Sequence, residues 1–226
     1  MKKASFFSFA FAVFAFAVSV NGYDVFECKF IPGLWNKNDF IGVKSSRWEY
    51  IGSFRQDANH IVNVCPKDAT DKDMLSKRAG ETYAALVYKN KITGNSEIKA
   101  DMSFDYRMAP SIVLAGELGK GQNNYPEFRE HYEIVLYDQG INVWHHWFEN
   151  GKQVWKKAGF VKAAFQPNVK YEMDVEVKFT AGGTLLEISV GEVEMQVMVN
   201  NLPRSYYAGI IGCEGLNRFY EFEIEK

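Results

Sequence analysis

Cysteine and proline are scarce in this chain of 226 residues, which has three of the former and six of the latter. Cys28, Cys65 and Cys213 are too few and too scattered for a disulfide framework or a zinc site, although one disulfide with one thiol left over is compatible with an oxidising compartment. The prolines form no proline-rich linker, and no internal repeat or break in composition marks a domain boundary. We therefore expect one domain.

Positive charge is not in excess either, since 26 lysines and arginines face 28 aspartates and glutamates. Without its first 22 residues the chain loses Lys2 and Lys3 and no acid, so that 24 basic and 28 acidic residues leave a formal charge of −4. A surface that tracks phosphates needs clustered positive charge. Nucleic acid is thus excluded as an expected partner.

Long apolar runs are absent beyond the N-terminus. The segment MKKASFFSFAFAVFAFAVSVNG has a basic start, an apolar run from Phe6 to Val20 and small residues at its end. This order is typical of a secretory signal peptide, and the run is too short for a confident membrane anchor. We predict a signal peptide at 1–22 and a single domain at 23–226 that is secreted or periplasmic, without stable membrane insertion after signal removal.

What the chain has in abundance is alternation of apolar and polar residues. In YEMDVEVKF, residues 171–179, every second side chain is apolar and the residues between them are charged. IKADMSFDY, residues 98–106, repeats the pattern. A period of two is the signature of a strand with one buried and one wet face.

Further strands are expected around nine shorter segments, which are separated by turn residues. These segments are YDVFECKF, RWEYIG, HIVNVC, TYAALVYK, PSIVLAG, TLLEISV, EVEMQVMV, YYAGIIGC and RFYEFEIE. Only the polar run at 66–80 fits either a short helix or a loop. A dozen or so short antiparallel strands in one domain predict an all-β, two-sheet antiparallel sandwich of the jelly-roll kind.

The stretch HYEIVLYDQGINVWHHWFENGKQVW, residues 131–155, contains two turn signals, Gln139–Gly140 and Asn150–Gly151. If both are two-residue loops, Glu133 lies opposite His146, and His146 lies opposite Trp155. One face then collects His131, Glu133, Tyr137, Asn142, Trp144, His146, Trp155 and Lys157. The other is a core face with Tyr132, Ile134, Leu136, Ile141, Val143, His145, Trp147 and Val154.

The double histidine does not form a metal pair in this arrangement, because consecutive strand residues point to opposite faces. His145 is interpreted as a core histidine satisfied by a hydrogen bond. The opposite face carries two tryptophans and a tyrosine beside a carboxylate and an imidazole. Pyranose rings pack on aromatic faces and their hydroxyls need polar partners at the edge. We predict carbohydrate-binding residues there, namely Glu133, Tyr137, Trp144, His146 and Trp155.

The order of these segments resembles the concanavalin A-like lectin and glucanase superfamily. The resemblance rests on WEYIG, SFDY, the HYEIVLYD hairpin, YEMDVEVKF with TLLEISVGEVEMQV, and the closing AGIIGCEGLNRFYEFEIE, which is similar to the laminin G-like and 3-keto-disaccharide hydrolase branches. It implies two curved sheets with the ligand on a concave face. It also implies the option of a structural calcium between the first and last strands, with Asp24 or Glu27 and Glu221; no other cofactor is expected.

An enzyme is the alternative. Glu172, Asp174 and Glu176 resemble the E-x-D-x-E strand signature of laminarinase-type glycoside hydrolases, whose two outer acids act across a glycosidic bond. The same spacing recurs at the C-terminus in 221–225, as any acidic wet face produces it, and the tryptophan, proline and glycine that lead into the hydrolase motif are absent. We assign no catalytic residue and no metal ligand.

The loop GELGKGQNNYPE, residues 116–127, lacks phosphate-loop spacing and is interpreted either as an ordinary solvated loop or as a flexible rim that brings 122–125 over a ligand. The sequence thus predicts a secreted lectin-like domain that binds an oligo- or polysaccharide. A glycoside hydrolase or polysaccharide lyase on the same fold is the alternative, with acid and base chemistry at Glu133 and His146 as one variant of it. The third possibility is a non-catalytic protein-interaction module.

Overall fold

The computed structural model describes residues 25–226, so the predicted signal peptide lies outside the described residues. In chain order the strands are β1 (Val25–Lys29), β2 (Phe40–Gly42), β3 (Phe54–Gln56), β4 (Ile61–Asn63), β5 (Ala84–Tyr88), β6 (Ile92–Thr93), β7 (Ser96–Phe104), β8 (Met108–Ala115), β9 (Leu118–Lys120), β10 (Pro126–Phe128), β11 (His131–Tyr137), β12 (Gly140–Glu149), β13 (Lys152–Lys162), β14 (Tyr171–Thr180), β15 (Gly183–Val190), β16 (Val193–Val199), β17 (Ser205–Gly212) and β18 (Asn217–Glu225). Two short helices, α1 (Asp71–Met74) and α2 (Ala79–Thr82), and two 3₁₀ turns, Lys37–Asp39 and Gln122–Asn124, complete the structure of these residues.

Sixteen of the strands form two antiparallel sheets of eight strands each. The first sheet has the order β16-β15-β14-β7-β18-β4-β3, with β1 paired to β18. The second sheet has the order β13-β12-β11-β8-β17-β5-β2, with β6 paired to β17. Strands β9 and β10 pair separately. The predicted all-β, two-sheet antiparallel sandwich is confirmed.

The main core lies between the two sheets. In β14 the alternate residues Met173, Val175 and Val177 are fully buried, while the charged residues between them face away from the core. Val175 lies opposite Ile98 of β7, which is buried as well. The alternation that predicted these strands therefore decides which face of each strand packs in the core.

A second, smaller apolar cluster covers part of the outer face of the second sheet. In β8, Ile112 and Leu114 point into the main core, whereas Val113 and Ala115 point outward into this second cluster. Tyr83, Phe128 and Cys213 belong to it, and Trp48 packs against it. The central strands of the second sheet are thus apolar on both faces because both faces are covered.

The hairpin from β11 to β12 differs from the predicted register. Tyr137 pairs with Gly140, so the two-residue loop is 138–139 and not Gln139–Gly140. Glu133 consequently lies opposite Trp144, and His131 lies opposite His146. The shift amounts to two residues, and because side chains alternate with a period of two, the predicted faces are unchanged.

The second hairpin turns as predicted. Asn150 and Gly151 connect β12 to β13, and both have positive φ values, 51° and 76°. Two consecutive positive φ values are the requirement of the type I′ turn, which Asn-Gly satisfies. His146 accordingly pairs with Trp155.

Two predicted segments take another conformation. RWEYIG, residues 47–52, forms no strand; its Trp48 packs on Tyr83 with ring centroids 5.4 Å apart, so tertiary contact overrides the β propensity of its aromatics. The polar run 66–80 contains α1 and the start of α2, and a capping box between Thr70 and Asp73 begins α1. The loop 116–127 folds into β9, a 3₁₀ turn and β10.

All three thiols are free in the structure, and they are shielded. Burial raises the pKa of Cys28 and of Cys65 to about 12, and that of Cys213 well above its ordinary value.

Because the thiolate is the reactive form, we expect slow alkylation of these cysteines. Iodoacetamide at pH 8 should modify none of them rapidly in the folded protein and all three after denaturation without reductant. Recovery of only one thiol after denaturation would reveal a disulfide.

None of the helices between residues 25 and 226 has the length and apolar character needed to span a bilayer.

Candidate functional site

A cavity of about 190 Å³ opens on the outer face of the second sheet, beside the second apolar cluster. Its lining comes from three sources, which are β8 and β17 in the centre, the β11–β12–β13 hairpins on one side, and the connecting segments around 47 and 83 on the other. The lining residues are Arg47, Trp48, Tyr83, Met108, Ala109, Ser111, Glu133, Val135, Asn142, Trp144, His146, Trp155, Ile211, Cys213 and Glu214.

Four of the five predicted binding residues line this cavity, namely Glu133, Trp144, His146 and Trp155. Tyr137 does not; it lies farther along β11, with its ring 6.3 Å from that of Phe160. The structure therefore brings four predicted residues together and leaves Tyr137 outside the group.

One wall of the cavity is a stack of two indoles and a guanidinium. The Arg47 guanidinium lies 4.5 Å from the ring centroid of Trp48 and 4.7 Å from that of Trp155. Trp155 is 49% exposed, so its ring is accessible from solvent. Such a planar, partly exposed surface suits the C–H face of a sugar ring.

Trp144 is half-buried in the adjacent strand. The Lys157 ammonium lies 5.2 Å from the centroid of its ring and 5.1 Å from that of Phe160. A cation over an indole is attracted by the negative face of the ring. Lys157 thus occupies part of the Trp144 surface, and Trp155 is the more accessible of the two tryptophans.

Three side chains on this face form a tight buried cluster, which we call the His-Glu-His cluster: His131, Glu133 and His146. Nε2 of His131 lies 3.2 Å from one Glu133 carboxylate oxygen, and Nε2 of His146 lies 3.5 Å from the other. The two imidazole rings stack with centroids 4.6 Å apart, and Phe128 stacks on the other side of His131. Sequence reasoning placed His131 on this face but assigned it no role, because the register brought Glu133, not His131, opposite His146.

Burial controls the ionisation of this cluster. Burial lowers the pKa of His131 to about 4, although the neighbouring Glu133 carboxylate acts in the opposite direction. The His131 imidazole is therefore neutral at pH 7. Burial raises the pKa of the Glu133 carboxyl, but the adjoining imidazoles of His146 and His131 outweigh that effect and hold it well below its ordinary value. Glu133 is therefore an ionised carboxylate, although only 13% of its side chain is exposed.

Several polar atoms around the cavity have no hydrogen-bond partner within residues 25–226. These are the Tyr83 hydroxyl, Oδ1 of Asn142 and both ring nitrogens of His146. Buried polar groups are usually paired, and each exception asks for an explanation such as water, an ion or a ligand. The three residues line the cavity, so polar atoms without a protein partner lie in its wall, although the atoms themselves are shielded.

His145 and Trp147 point to the opposite face, as predicted. Nε2 of His145 lies 2.8 Å from a Glu130 carboxylate oxygen, and its ring stacks between those of Tyr132 and Trp147. The histidine is thus satisfied by a hydrogen bond as predicted, but it is half-buried and lies outside the main core, so its interpretation as a core residue is wrong. Trp147 is only half-buried, because it lies beyond the main core near the end of β12.

Sequence reasoning missed Arg47, Trp48, Tyr83 and Glu214. The first two lie in the segment that was predicted to be a strand, and Glu214 lies in a turn with a φ of 57°. Burial raises the pKa of Glu214, although Arg47 lowers it. In the sequence, only the neighbouring cationic and aromatic residues Arg47 and Trp48 could have indicated this part of the site. The other missed residues reach the cavity because distant segments fold onto one face of the sheet.

Residues 122–125, predicted as a rim, do not line the cavity. The place suggested for a structural calcium, between the first and last strands, has a different arrangement. Glu27 and Glu221 both contact the Lys29 ammonium, at 2.5 and 3.6 Å. The lysine thus already supplies a positive charge to both carboxylates. Asp24 lies outside the described residues.

The EMDVE acids lie on the outer face of the first sheet, remote from the cavity. Glu172 adjoins Lys99, Asp101, Glu221 and Glu223 in a shallow charged depression. Glu176 forms an ion pair with Lys178 at 2.5 Å. Glu172 and Glu176 thus lie on the polar strand face that the sequence predicted, whereas Asp174 between them is half-buried, and burial and the adjoining Glu97 raise its pKa to about 7.

Replacing Glu172 and Glu176 by glutamine should therefore leave ligand binding and any hydrolytic activity unchanged, since neither residue reaches the cavity. Stability should change by less than about 0.5 kcal/mol, as for other surface positions. Binding and activity assays on the double variant check this. A β-glucanase activity that disappears with either change would transfer the active site to the first sheet.

Solved structures with the same architecture were found. A seed lectin from Lotus tetragonolobus matches with a TM-score of 0.56 and 8% identity over 88% of this chain and 96% of the lectin. The exoplasmic/lumenal domain of VIP36, in a form bound to Ca²⁺ and Man3GlcNAc, matches with a TM-score of 0.53 and 12% identity over 87% of each chain. A GlcNAcα1-4Gal-releasing endo-β-galactosidase from Clostridium perfringens has a TM-score of 0.55 and 9% identity over 94% of this chain and 65% of the enzyme.

No known protein family and no curated protein matches the sequence itself. At such low identities the structural likeness shows the fold alone. That fold is the concanavalin A-like lectin and glucanase fold, on which sugar-binding proteins and glycoside hydrolases both occur.

Proposed function

We propose that this protein binds a carbohydrate in the cavity on the second sheet. The observation that carries the proposal is the combination found there: an exposed indole, Trp155, stands beside a cavity lined by Tyr83, Asn142 and His146, whose side chains carry polar atoms that no group of the described residues pairs. Aromatic rings supply affinity for the C–H faces of sugars, and unpaired donors and acceptors orient their hydroxyls.

The size of the cavity limits which ligands fit into it. At about 190 Å³ it is smaller than sites for drug-sized molecules, which enclose about 300–1,000 Å³. It suits a single sugar ring, with the remainder of an oligo- or polysaccharide lying along Trp155 and the outer face of β13. We infer recognition of a chain end or a side branch.

The fold supports this proposal without deciding it. The VIP36 domain with this architecture is solved with a mannose-containing oligosaccharide bound. We place the chain, on the pattern of its closing strands, near the laminin G-like and 3-keto-disaccharide hydrolase branches. We also retain the prediction that residues 1–22 direct export, because an exported or periplasmic protein meets free and cell-surface glycans.

An enzyme is the second candidate, favoured by one specific observation. Glu133 and Glu214 line the same cavity and their pKa values are displaced in opposite directions, that of Glu133 downward and that of Glu214 upward. Two carboxyls with separated pKa values are the arrangement of an acid and a base in glycoside hydrolysis. A glycoside hydrolase or a polysaccharide lyase would place Glu214 as the acid.

A glycan array of neutral and acidic oligosaccharides separates these functions. A lectin retains its ligand unchanged. An enzyme releases a product, which mass spectrometry detects with water added for a hydrolase or with a new double bond for a lyase. The Glu214→Gln variant should lose that activity. Retention of no glycan and release of no product would refute both, and would favour a protein-interaction module.

A further inference from the structure

We propose that the His-Glu-His cluster of His131, Glu133 and His146 is a binding site for a divalent transition-metal ion of the zinc class. Between residues 25 and 226 it is the one group of three potential ligand side chains whose ligand atoms lie within 4.8 Å of one another. The proposal concerns these three side chains and does not depend on sugar binding in the cavity.

The sheet itself positions the ligands. His131 and Glu133 are two residues apart in β11 and so share a face, and His146 is the direct cross-strand partner of His131. The contacts of 3.2 and 3.5 Å between each Nε2 atom and a Glu133 oxygen match the separation of about 3.3–3.5 Å between two ligands of a tetrahedral ion with metal bonds of about 2.0–2.2 Å. The two contacts go to different oxygens of the carboxylate, and the ligand atoms of all three side chains lie within 4.8 Å of one another, so one ion can be placed among them.

A second observation points to a ligand at this place. His131 and His146 are each 1% exposed, yet three of their four ring nitrogens have no hydrogen-bond partner in the described part of the chain. A buried imidazole without partners is costly. Coordination of a cation through Nε2 of both rings would pair the free Nε2 atom of His146 and offset the negative charge of the Glu133 carboxylate.

The donor set selects the kind of metal. Two imidazoles and one carboxylate suit zinc and its transition-metal neighbours, whereas calcium and magnesium prefer oxygen ligands throughout. Three protein ligands leave a fourth position open, as in catalytic zinc sites. Glu133 and His146 both line the cavity, so that position faces the cavity and accepts a water or a hydroxyl of its ligand.

The rings are held in place before a metal arrives. Phe128 stacks on His131 at 4.6 Å, and His131 stacks on His146 at the same distance with an angle of 12° between the planes. A site on two paired strands with packed rings loses little freedom on binding, which favours affinity.

The test uses the full chain without a histidine tag, stripped with a chelator and titrated with Zn²⁺ or Co²⁺. We expect one ion bound per chain, a visible absorption band of tetrahedral Co²⁺, and a rise in melting temperature with Zn²⁺. His131→Asn, His146→Asn and Glu133→Gln should each weaken binding by more than about 100-fold, beyond the 10–100-fold typical of residues that only support a ligand.

His145→Asn is the matched control, since that histidine points to the opposite face and contacts Glu130; it should bind the ion as the original protein does. Glu133→Gln changes no volume, so it keeps the test valid if a histidine variant does not fold. Failure of the stripped protein to bind one ion, or equal binding by all three variants, would overturn the metal site. Glycan binding that persists in the stripped protein would leave the proposed function intact in that case.

Discussion

Replacing Asn63 by leucine is expected to lower the free energy of unfolding by about 3 kcal/mol or more, since each buried polar group left unpaired costs about 1–3 kcal/mol. Asn63 is 0% exposed, and its side chain makes hydrogen bonds to three backbone groups and to the Cys65 sulfur. Its amide donates to the carbonyls of Thr82 and Gly215 at 2.6 and 2.9 Å, and its Oδ1 accepts from the Asn217 N–H at 2.7 Å. Leucine has a similar volume and leaves the Thr82 carbonyl and the Asn217 N–H unpaired, while the Gly215 carbonyl keeps only the Cys65 thiol, 3.3 Å away.

This change should also weaken ligand binding. Thr82 and Gly215 adjoin Tyr83 and Glu214, which line the cavity, so the network anchored by Asn63 holds the rim in place. Asn90→Ala is the control: its exposed amide donates only to the Tyr88 hydroxyl, and its loss should cost less than about 0.5 kcal/mol. Urea unfolding measures both variants. A loss below about 1 kcal/mol for Asn63→Leu would mean that water replaces the network.

Truncation of Trp155 to alanine is expected to weaken glycan binding by about 1–3 kcal/mol, the range for burying an apolar side chain, or about 5- to 150-fold in the dissociation constant. The half-exposed ring covers little of the core, so the protein should remain folded. The measurable cost to stability is the loss of the contact with Arg47, about 0.5–1 kcal/mol. Calorimetric titration with an oligosaccharide retained on the array measures the change.

Trp144→Ala should act in the same direction, with a larger cost to stability because this tryptophan is half-buried. Trp147→Ala is the control from the opposite face: it should reduce stability, by less than the about 3–5 kcal/mol of a core aromatic, and leave binding unchanged. If Trp147→Ala abolishes glycan binding while Trp155→Ala has no effect, the ligand lies on the other face of β12 and β13.

Local patterning was sufficient to predict the sandwich and the face on which the predicted residues lie. The alternation in β14 and β7 identified their buried sides, and Asn150–Gly151 fixed the pairing of His146 with Trp155. The first hairpin loop was misplaced by one residue, which shifted the pairing by two. Because two is the side-chain period of a strand, Glu133, Trp144 and His146 stayed on one face.

The same shift shows the limit of that reasoning. It hid the pairing of His131 with His146, and with it the His-Glu-His cluster, because a face can be read from alternation but a cross-strand partner depends on the turn. The sequence therefore predicted most of the proposed sugar-binding residues but not the proposed metal site.

The sequence by itself determined which side chains of β11, β12 and β13 face away from the core, since strand periodicity is a local property. Only the tertiary structure decided that Arg47 and Trp48 cover that face, that Glu214 enters the same cavity, and that Asn63 ties the rim together. These contacts join segments up to about 150 positions apart, as in the bond from Asn63 to Gly215. They form through packing and hydrogen bonding between sheets and loops, which local propensity does not encode.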